Sequence, residues 1–308
     1  MSSVLVLCGP TGAGKTQALL NAATDPDLVG RWGAPPIEVI SADSRQIYRH
    51  LEIGTALPST EERSRLPHHL VSFLDPREQF DLGAFVRRCD ELVTEIHRRG
   101  RLAVIAGGTG FYLRGYLCGL PDTPPGSPAV RRELQERLDR EGLEVLRAEL
   151  ETVDPVSAGA IAPADTYRTI RALEIYHTTG RRRSEFPRTE TLRPGVDPRV
   201  LGLSCPREVL HRRIENRVDQ MFRRGLAREV EGLLEMGYTG EDPGMRTIGY
   251  AEFLSGEGDP EKIRQRIVYN TRRYAKRQYT YLRRLPGIRW VDADDSEQIF
   301  AALRQIRI

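Results

Sequence analysis

The chain has 308 residues, 29% of them charged and 39% hydrophobic, with a net charge of +3. That length supports a sizeable core in one large domain with an insertion or in two domains, and no apolar run approaches membrane-spanning length. A total of +3 excludes a uniformly basic protein, so any nucleic-acid surface has to come from local clustering.

In chain order, Ser3–Cys8 is an apolar run of strand length that feeds a Gly-rich turn, and Gln17–Ala23 reads as the helix that follows. Gly9, four residues and then Gly14-Lys15-Thr16 complete the phosphate-binding loop pattern in its strand–turn–helix context. Along Gly9, Pro10, Thr11, Gly12, Ala13, Gly14, Lys15 and Thr16, glycines let backbone N–H groups converge on a phosphate, and the helix presents its positive end to the same anion. Lys15 adds a point charge, and the Thr16 hydroxyl is placed to hold Mg²⁺ on phosphate oxygens. Lys occurs only at 15, 262 and 276, while 43 of the 46 basic residues are Arg, so composition does not explain a Lys here. The loop implies a polyphosphate and leaves open which one. It starts at residue 9, which leaves no room for a signal or transit peptide before it.

Residues 37–42 and 102–106 read as further short buried strands, with a helix from about Leu82 to Arg99 between them. The pattern implies an α/β fold: a P-loop NTPase-like core with a parallel sheet and helices on both faces. From residue 120 a breaker-rich connection leads to three expected helices, Ala129–Glu141, Leu143–Val153 and Asp165–Thr179, and a polar Arg/Pro-rich stretch closes the segment. Residues 120–198 therefore read as an all-helical insertion between core segments 1–119 and 199–308. Val200–Leu203 resembles a last sheet strand, followed by helices over Arg207–Met236 and Pro260–Leu285.

Asp43 follows the second strand, in the crevice where doubly wound sheets bind ligands. There it either holds Mg²⁺ through water or acts as a general base; capping a turn is the structural alternative. Ser44 and Gln46 add neutral hydrogen-bonding groups. Gly107-Gly108 allow close backbone approach, and Thr109 offers a hydroxyl at the same sheet edge. His68-His69 lack a third ligand at suitable spacing, so structural or hydrogen-bonding roles are expected rather than zinc. Four scattered cysteines, Cys8, Cys89, Cys118 and Cys205, have no disulfide framework, as suits a reducing cytoplasm.

Residues 262–291 carry ten Lys and Arg and no acid, with Tyr269, Tyr274, Tyr279, Tyr281 and Trp290 interleaved. A one-signed face with aromatics suits phosphate backbones and splayed bases, and structured RNA more readily than duplex DNA. Arg213 and Arg217, about one turn apart, offer a further anion contact.

Seven motifs then stand in the order seen in one family. They are the loop Gly9–Thr16, Asp43–Tyr48, His68–Leu70, Gly107–Tyr112, Arg171–Glu174, Ile248–Tyr250 and Ala275–Gln278, and they resemble the tRNA dimethylallyltransferases, also called tRNA isopentenyltransferases. The resemblance extends to about Trp290, and the absence of a C-terminal Cys₂His₂ finger points to the bacterial type. It implies that the loop holds the diphosphate of dimethylallyl diphosphate. The prenyl group then passes to the N6 amine of the adenosine 3′ of the tRNA anticodon. By the same resemblance Asp43 is the general base, with Thr109 at the meeting point of the substrates and Arg217 in the leaving-group clamp. It also implies that Asp43, Ser44, Arg45, Gln46 and Thr109 contact the flipped adenosine. The anticodon stem-loop falls to Arg131, Tyr167, Arg168, Arg171, Arg246, Gly249, Tyr250, Lys276, Arg277, Gln278, Tyr281 and Arg283. The chain departs from the family at Ala13 (commonly Ser), Tyr167 (often Gln) and Tyr281 (commonly Trp). A cytoplasmic monomer using Mg²⁺ is expected, with no membrane partner.

Two other readings start from the same residues. A nucleotide or small-metabolite kinase accounts for the loop and Asp43 but leaves the basic-aromatic segment idle. A non-catalytic RNA-binding switch predicts NTP-dependent RNA affinity, yet no Asn-Lys-x-Asp guanine-reading motif is present. A relative that prenylates free AMP would need no RNA grip.

Overall fold

From Val4 to Cys8 the chain carries no polar side chain, so the segment has to be covered on both faces. It lies in the interior of a sheet. In the computed structural model, which describes residues 2–120, 122–186, 190–256 and 258–307, six strands form one all-parallel sheet in the order β3-β2-β4-β1-β5-β6. They are β1 (Ser2–Cys8), β2 (Ile37–Ser41), β3 (His68–His69), β4 (Leu102–Gly107), β5 (Val196–Ser204) and β6 (Ile288–Asp292). The helices around them are α1 (Lys15–Ala22), α2 (Pro26–Trp32), α3 (Thr60–Arg65), α4 (Leu82–Arg98) and α5 (Gly110–Cys118). After the insertion come α10 (Arg207–Arg223), α11 (Leu226–Glu235), α12 (Pro260–Leu282) and α13 (Ser296–Arg304).

The period-two alternation of β1 sorts its residues onto two cores. Val4, Val6 and Cys8 pack with Phe85, Leu92 and Ile96 of α4 and Leu113 of α5. Leu5 and Leu7 pack with Leu19 and Leu20 of α1 and Ile299 and Leu303 of α13. Helices thus cover both faces, as the sequence pattern implies. Because β4, β1 and β5 are neighbours, the loop after β1, Asp43 after β2 and Thr109 after β4 emerge at one edge, the carboxyl ends of the strands.

Two strands escape the sequence reading. β3 is the His68-His69 pair itself, too short for any alternation. β6 lies inside the basic run, so Val200–Leu203 is not the last strand and the basic segment is not one helix. Its Trp290 packs on Tyr279 of α12, with ring centroids 5.5 Å apart.

The chain divides into two compact units, Met1–Gly119 with Thr191–Ile308, and Leu120–Glu190. β5 begins at Val196, inside the stretch read as insertion. The second unit has four α-helices rather than three, α6 (Pro128–Glu141), α7 (Leu143–Val153), α8 (Pro155–Ala160) and α9 (Thr166–Thr179), around Leu134, Leu146, Leu150 and Leu173. The missed α8 has six residues, too few for periodicity; it starts on Pro155 and is capped by Asp154 Oδ1, which accepts from the Ser157 N–H at 3.0 Å. Pro121 of the breaker-rich connection and residues 187–189 of the Arg/Pro-rich stretch lie outside the described residues. Among the described residues no helix is long and apolar enough to cross a membrane.

Candidate active site

The phosphate loop needs left-handed backbone at Gly12 (φ 81°) and Gly14 (φ 90°), where a side chain would be strained. Two of its amides hold its shape. The Ala13 N–H donates to Pro10 O at 3.2 Å, and the Thr11 N–H donates to Gln278 Oε1 at 2.9 Å. Gly14 caps α1, so the first-turn amides of that helix, which have no intrahelical acceptor, open toward the carboxyl edge of the sheet. Lys15 Nζ donates to Gly9 O and Pro10 O at 2.9 and 3.0 Å.

These groups line a cavity of about 280 Å³ together with Asp43, Gln46, Arg213, Arg217 and Gln278. Burial pushes the Lys15 ammonium down to about 8, with the Asp43 charge opposing that shift and Arg217 adding to it. Burial likewise lowers Arg217, partly offset by Asp43. Arg217 Nη2 donates to Thr55 O at 3.0 Å, so a neutral carbonyl holds the guanidinium in place. Arg213, by contrast, is paired to Asp294 at 2.7 Å. The Cys8 thiol beneath the loop is pushed up to about 12 by burial, which makes it unreactive at neutral pH.

Asp43 Oδ1 accepts from the Arg45 N–H at 2.9 Å, so the carboxylate caps a turn and also lines the cavity. The Thr109 hydroxyl accepts from the Ser44 N–H at 3.0 Å and donates to the Ser44 hydroxyl at 3.3 Å. Arg45 Nη1 reaches Pro243 O at 3.1 Å, and Gln46 Nε2 donates to Ala56 O at 3.1 Å. Burial pushes the Tyr274 phenol up to about 12, with the nearby Asp43 charge adding to the shift and a hydrogen bond to Thr109 opposing it. Tyr274 is the residue the sequence reading left among its interleaved aromatics without a place. Its signal was the spacing to Gln278, four residues on, which puts both on one helix face.

The glycines after β4 are explained by what approaches them. A Cβ on Gly107 would lie 2.1 Å from Ala42 O, on Gly108 2.1 Å from Gln278 Nε2, and on Gly110 2.3 Å from Tyr281 Cδ1. The close approach is by the protein itself.

The basic face of α12 is less one-sided than its sequence. Arg264 pairs with Asp219 at 2.6 Å and Arg272 with Glu215 at 2.5 Å, both acids of α10. Arg273, Lys276, Arg277 and Arg283 are exposed. Arg273 lies over Tyr269, Arg277 over Tyr274 and Arg283 over Tyr279, at 5.6, 5.7 and 5.9 Å.

Three expected RNA contacts prove to be interior. Tyr250 is fully buried; its hydroxyl donates to Glu229 Oε1 at 2.5 Å and accepts from the Gly54 N–H at 3.0 Å. The buried Gly249 N–H donates to Glu252 Oε2 at 2.7 Å. Gln278 is 5% exposed, and its amide is bound at both ends. Tyr281 is half-buried against Gly110. Arg246 is exposed and paired to Glu241 at 2.8 Å. In the helical unit, Arg131 and Arg171 converge on the buried carboxylate of Glu174 at 3.1 and 2.7 Å, which gives both a structural task. Tyr167 is 71% exposed, and the exposed Arg168 pairs with Asp165.

The two adjacent histidines have hydrogen-bonding roles. His69 Nε2 meets Glu38 Oε2 at 2.6 Å, and His68 Nδ1 meets Leu66 O at 2.6 Å. Among the described residues no group of three or more His, Cys, Asp or Glu could hold a metal ion. Thr16 and Asp43 share the cavity, an oxygen donor set that suits an ion held mainly by substrate oxygens and water.

With this geometry in place, comparison with known proteins is informative. The model of the IPP transferase family matches residues 46–285. The tRNA dimethylallyltransferase of Thermomicrobium roseum is 46% identical over 294 residues, covering 94% of this chain and 86% of that protein. The Geobacter metallireducens protein of the same name is 41% identical over 295 residues, covering 94% and 92%. Among solved structures, the full-length tRNA isopentenylpyrophosphate transferase from Bacillus halodurans aligns with a TM-score of 0.69 at 33% identity, covering 99% of this chain and 96% of that one. A eukaryotic dimethylallyltransferase acting on tRNA aligns with a TM-score of 0.77 at 30% identity, covering 99% of this chain and 77% of that one.

Proposed function

The chain belongs to the IPP transferase family, the tRNA dimethylallyltransferases, and from that premise we propose how its own residues carry out the transfer. The enzyme is a transferase that prenylates tRNA, and the kinase reading is set aside. The observation that carries the mechanism is the meeting of Lys15, Arg217 and Asp43 on one cavity at the carboxyl edge of the sheet.

Dimethylallyl diphosphate is the donor. Its diphosphate sits on the loop, facing the first-turn amides of α1, Lys15 and Arg217. The allylic C–O bond breaks as the leaving diphosphate takes the electron pair, and the cations stabilise the charge that develops. The acceptor is the N6 amine of the adenosine 3′ of the anticodon, which forms the new C–N bond. Asp43 takes the amine proton. The amine is a weak nucleophile, so positioning supplies much of the rate. The Thr109–Ser44 pair fixes the segment that bears Asp43, and Tyr274 closes that side. Thr16, with Asp43 through water, would hold Mg²⁺, which when bound would neutralise charge on the diphosphate. The anticodon stem-loop lies along the exposed Arg273, Lys276, Arg277 and Arg283, with Tyr167, Arg168 and Arg246 as further contacts. Every group invoked comes from one chain, so the reading needs no second subunit.

Incubation with labelled dimethylallyl diphosphate and unmodified tRNA tests it. Label recovered on the N6 of the adenosine beside the anticodon is the expected result. Label absent from tRNA, with ATP consumed on a small acceptor, would overturn it.

A further inference from the structure

Gln278 lies on the inner face of α12, four residues after Tyr274. Its Oε1 accepts from the Thr11 N–H at 2.9 Å, and its Nε2 donates to Gly108 O at 3.0 Å. Thr11 belongs to the loop after β1, and Gly108 to the turn after β4 that carries Thr109. One buried side chain therefore ties the diphosphate loop to the turn bearing Thr109. The fit leaves no slack, since a Cβ on Gly108 would stand 2.1 Å from Nε2. An apolar residue would fill the same space at lower desolvation cost, so the amide is retained for what it holds. The opposite face of the helix exposes Arg273, Lys276 and Arg277, so Gln278 itself points away from any RNA lying there.

We propose that Gln278 is a positioning residue for the diphosphate leaving group. By holding the Thr11 amide and the Gly108 carbonyl at once, it fixes the loop's register against the Asp43–Thr109 side of the cavity. The inference rests on the diphosphate reading above and adds a role distinct from RNA contact.

Gln278→Met keeps the length and bulk but leaves the Thr11 N–H without its acceptor. The expected result is a roughly ten-fold rise in KM for dimethylallyl diphosphate and in the inhibition constant of inorganic diphosphate, the effect of one buried hydrogen bond, with the tRNA Kd held within about three-fold. Gly108→Ala, which displaces the Gln278 amide, should reproduce the diphosphate effect, and the double variant should be no worse than either single one. Should Gln278→Met not fold by its circular-dichroism melt, Gly108→Ala carries the test with the same two outcomes. Unchanged diphosphate inhibition, or tRNA affinity lost by the same factor, overturns the inference. A wild-type enzyme that leaves tRNA unlabelled would instead overturn the function proposed above.

Discussion

The α/β unit has two cationic regions, and they are built on opposite plans. In the cavity, Lys15 and Arg217 are held by neutral carbonyls, those of Gly9, Pro10 and Thr55, with the Asp43 charge nearby. On α12 the cations are many and exposed, and those on the side facing α10 are cancelled by Asp219 and Glu215. Carbonyls orient a cation without neutralising it, so each inner charge stays available to an anion in a medium of low effective dielectric. The outer charges are screened by salt within about 10 Å and act as a group. Charge number is therefore a poor guide to where the chemistry lies. The two plans predict different failures: inner changes should reach turnover, and outer ones salt-dependent binding.

The largest expected effect is at Asp43. Its Oδ1 caps the turn at Arg45, a task that Asn performs equally well, whereas Asn cannot accept a proton from an amine. Asp43→Asn should thus lower kcat by about 10² to 10⁴ while tRNA affinity stays within a few-fold. If Asp43→Asn remained active and only Asp43→Ala were dead, the carboxylate would be a turn-former and the base would lie elsewhere.

Next comes the outer face. Replacing Arg273, Lys276 and Arg277 together by Ala should weaken tRNA binding by roughly 10- to 100-fold at low salt. The slope of log Kd against log salt should flatten by about 2 to 3, one increment per phosphate released. The paired Arg264 and Arg272 serve as the internal control, because removing them should leave the slope nearly unchanged. A triple variant that kept the wild-type slope would place the RNA surface off α12.

That control also shows what the sequence could reveal. The loop, its strand and its helix were legible because glycine spacing, apolar run and Lys15 are all local. Asp43 and Thr109 were legible because a parallel sheet brings strand ends together whatever lies between them. The acids opposite α12 were not, since Glu215 and Asp219 sit some fifty residues away and their pairing follows only from the packing of α10 on α12. Gln278 and Tyr250 failed for a related reason. Motif resemblance marks a segment as belonging to the site without saying which side of it faces outward, and in both cases the polar end is turned into the protein. The strand β6 was masked by Arg289 and Trp290, which read as part of a basic helix until pairing with β5 placed them.

The smallest expected effect separates the two regions by pH. Burial lowers the Lys15 ammonium to about 8, so its charge is present below that pH and lost above it. The exposed guanidiniums of α12 stay charged throughout. In the free enzyme, kcat/KM for dimethylallyl diphosphate should therefore fall above pH 8, by about ten-fold for each further pH unit, while tRNA affinity stays flat over the same range. The kcat limb should lie at higher pH, because a bound diphosphate restores the charge on Lys15. Lys15→Arg should be slower at every pH, since a planar fork does not replace a point charge there, but its profile should lose the alkaline limb. A wild-type profile flat to pH 9.5 would mean that the ammonium is better solvated than its contacts with Gly9 and Pro10 imply, and the distinction between inner and outer cations would then rest on position alone.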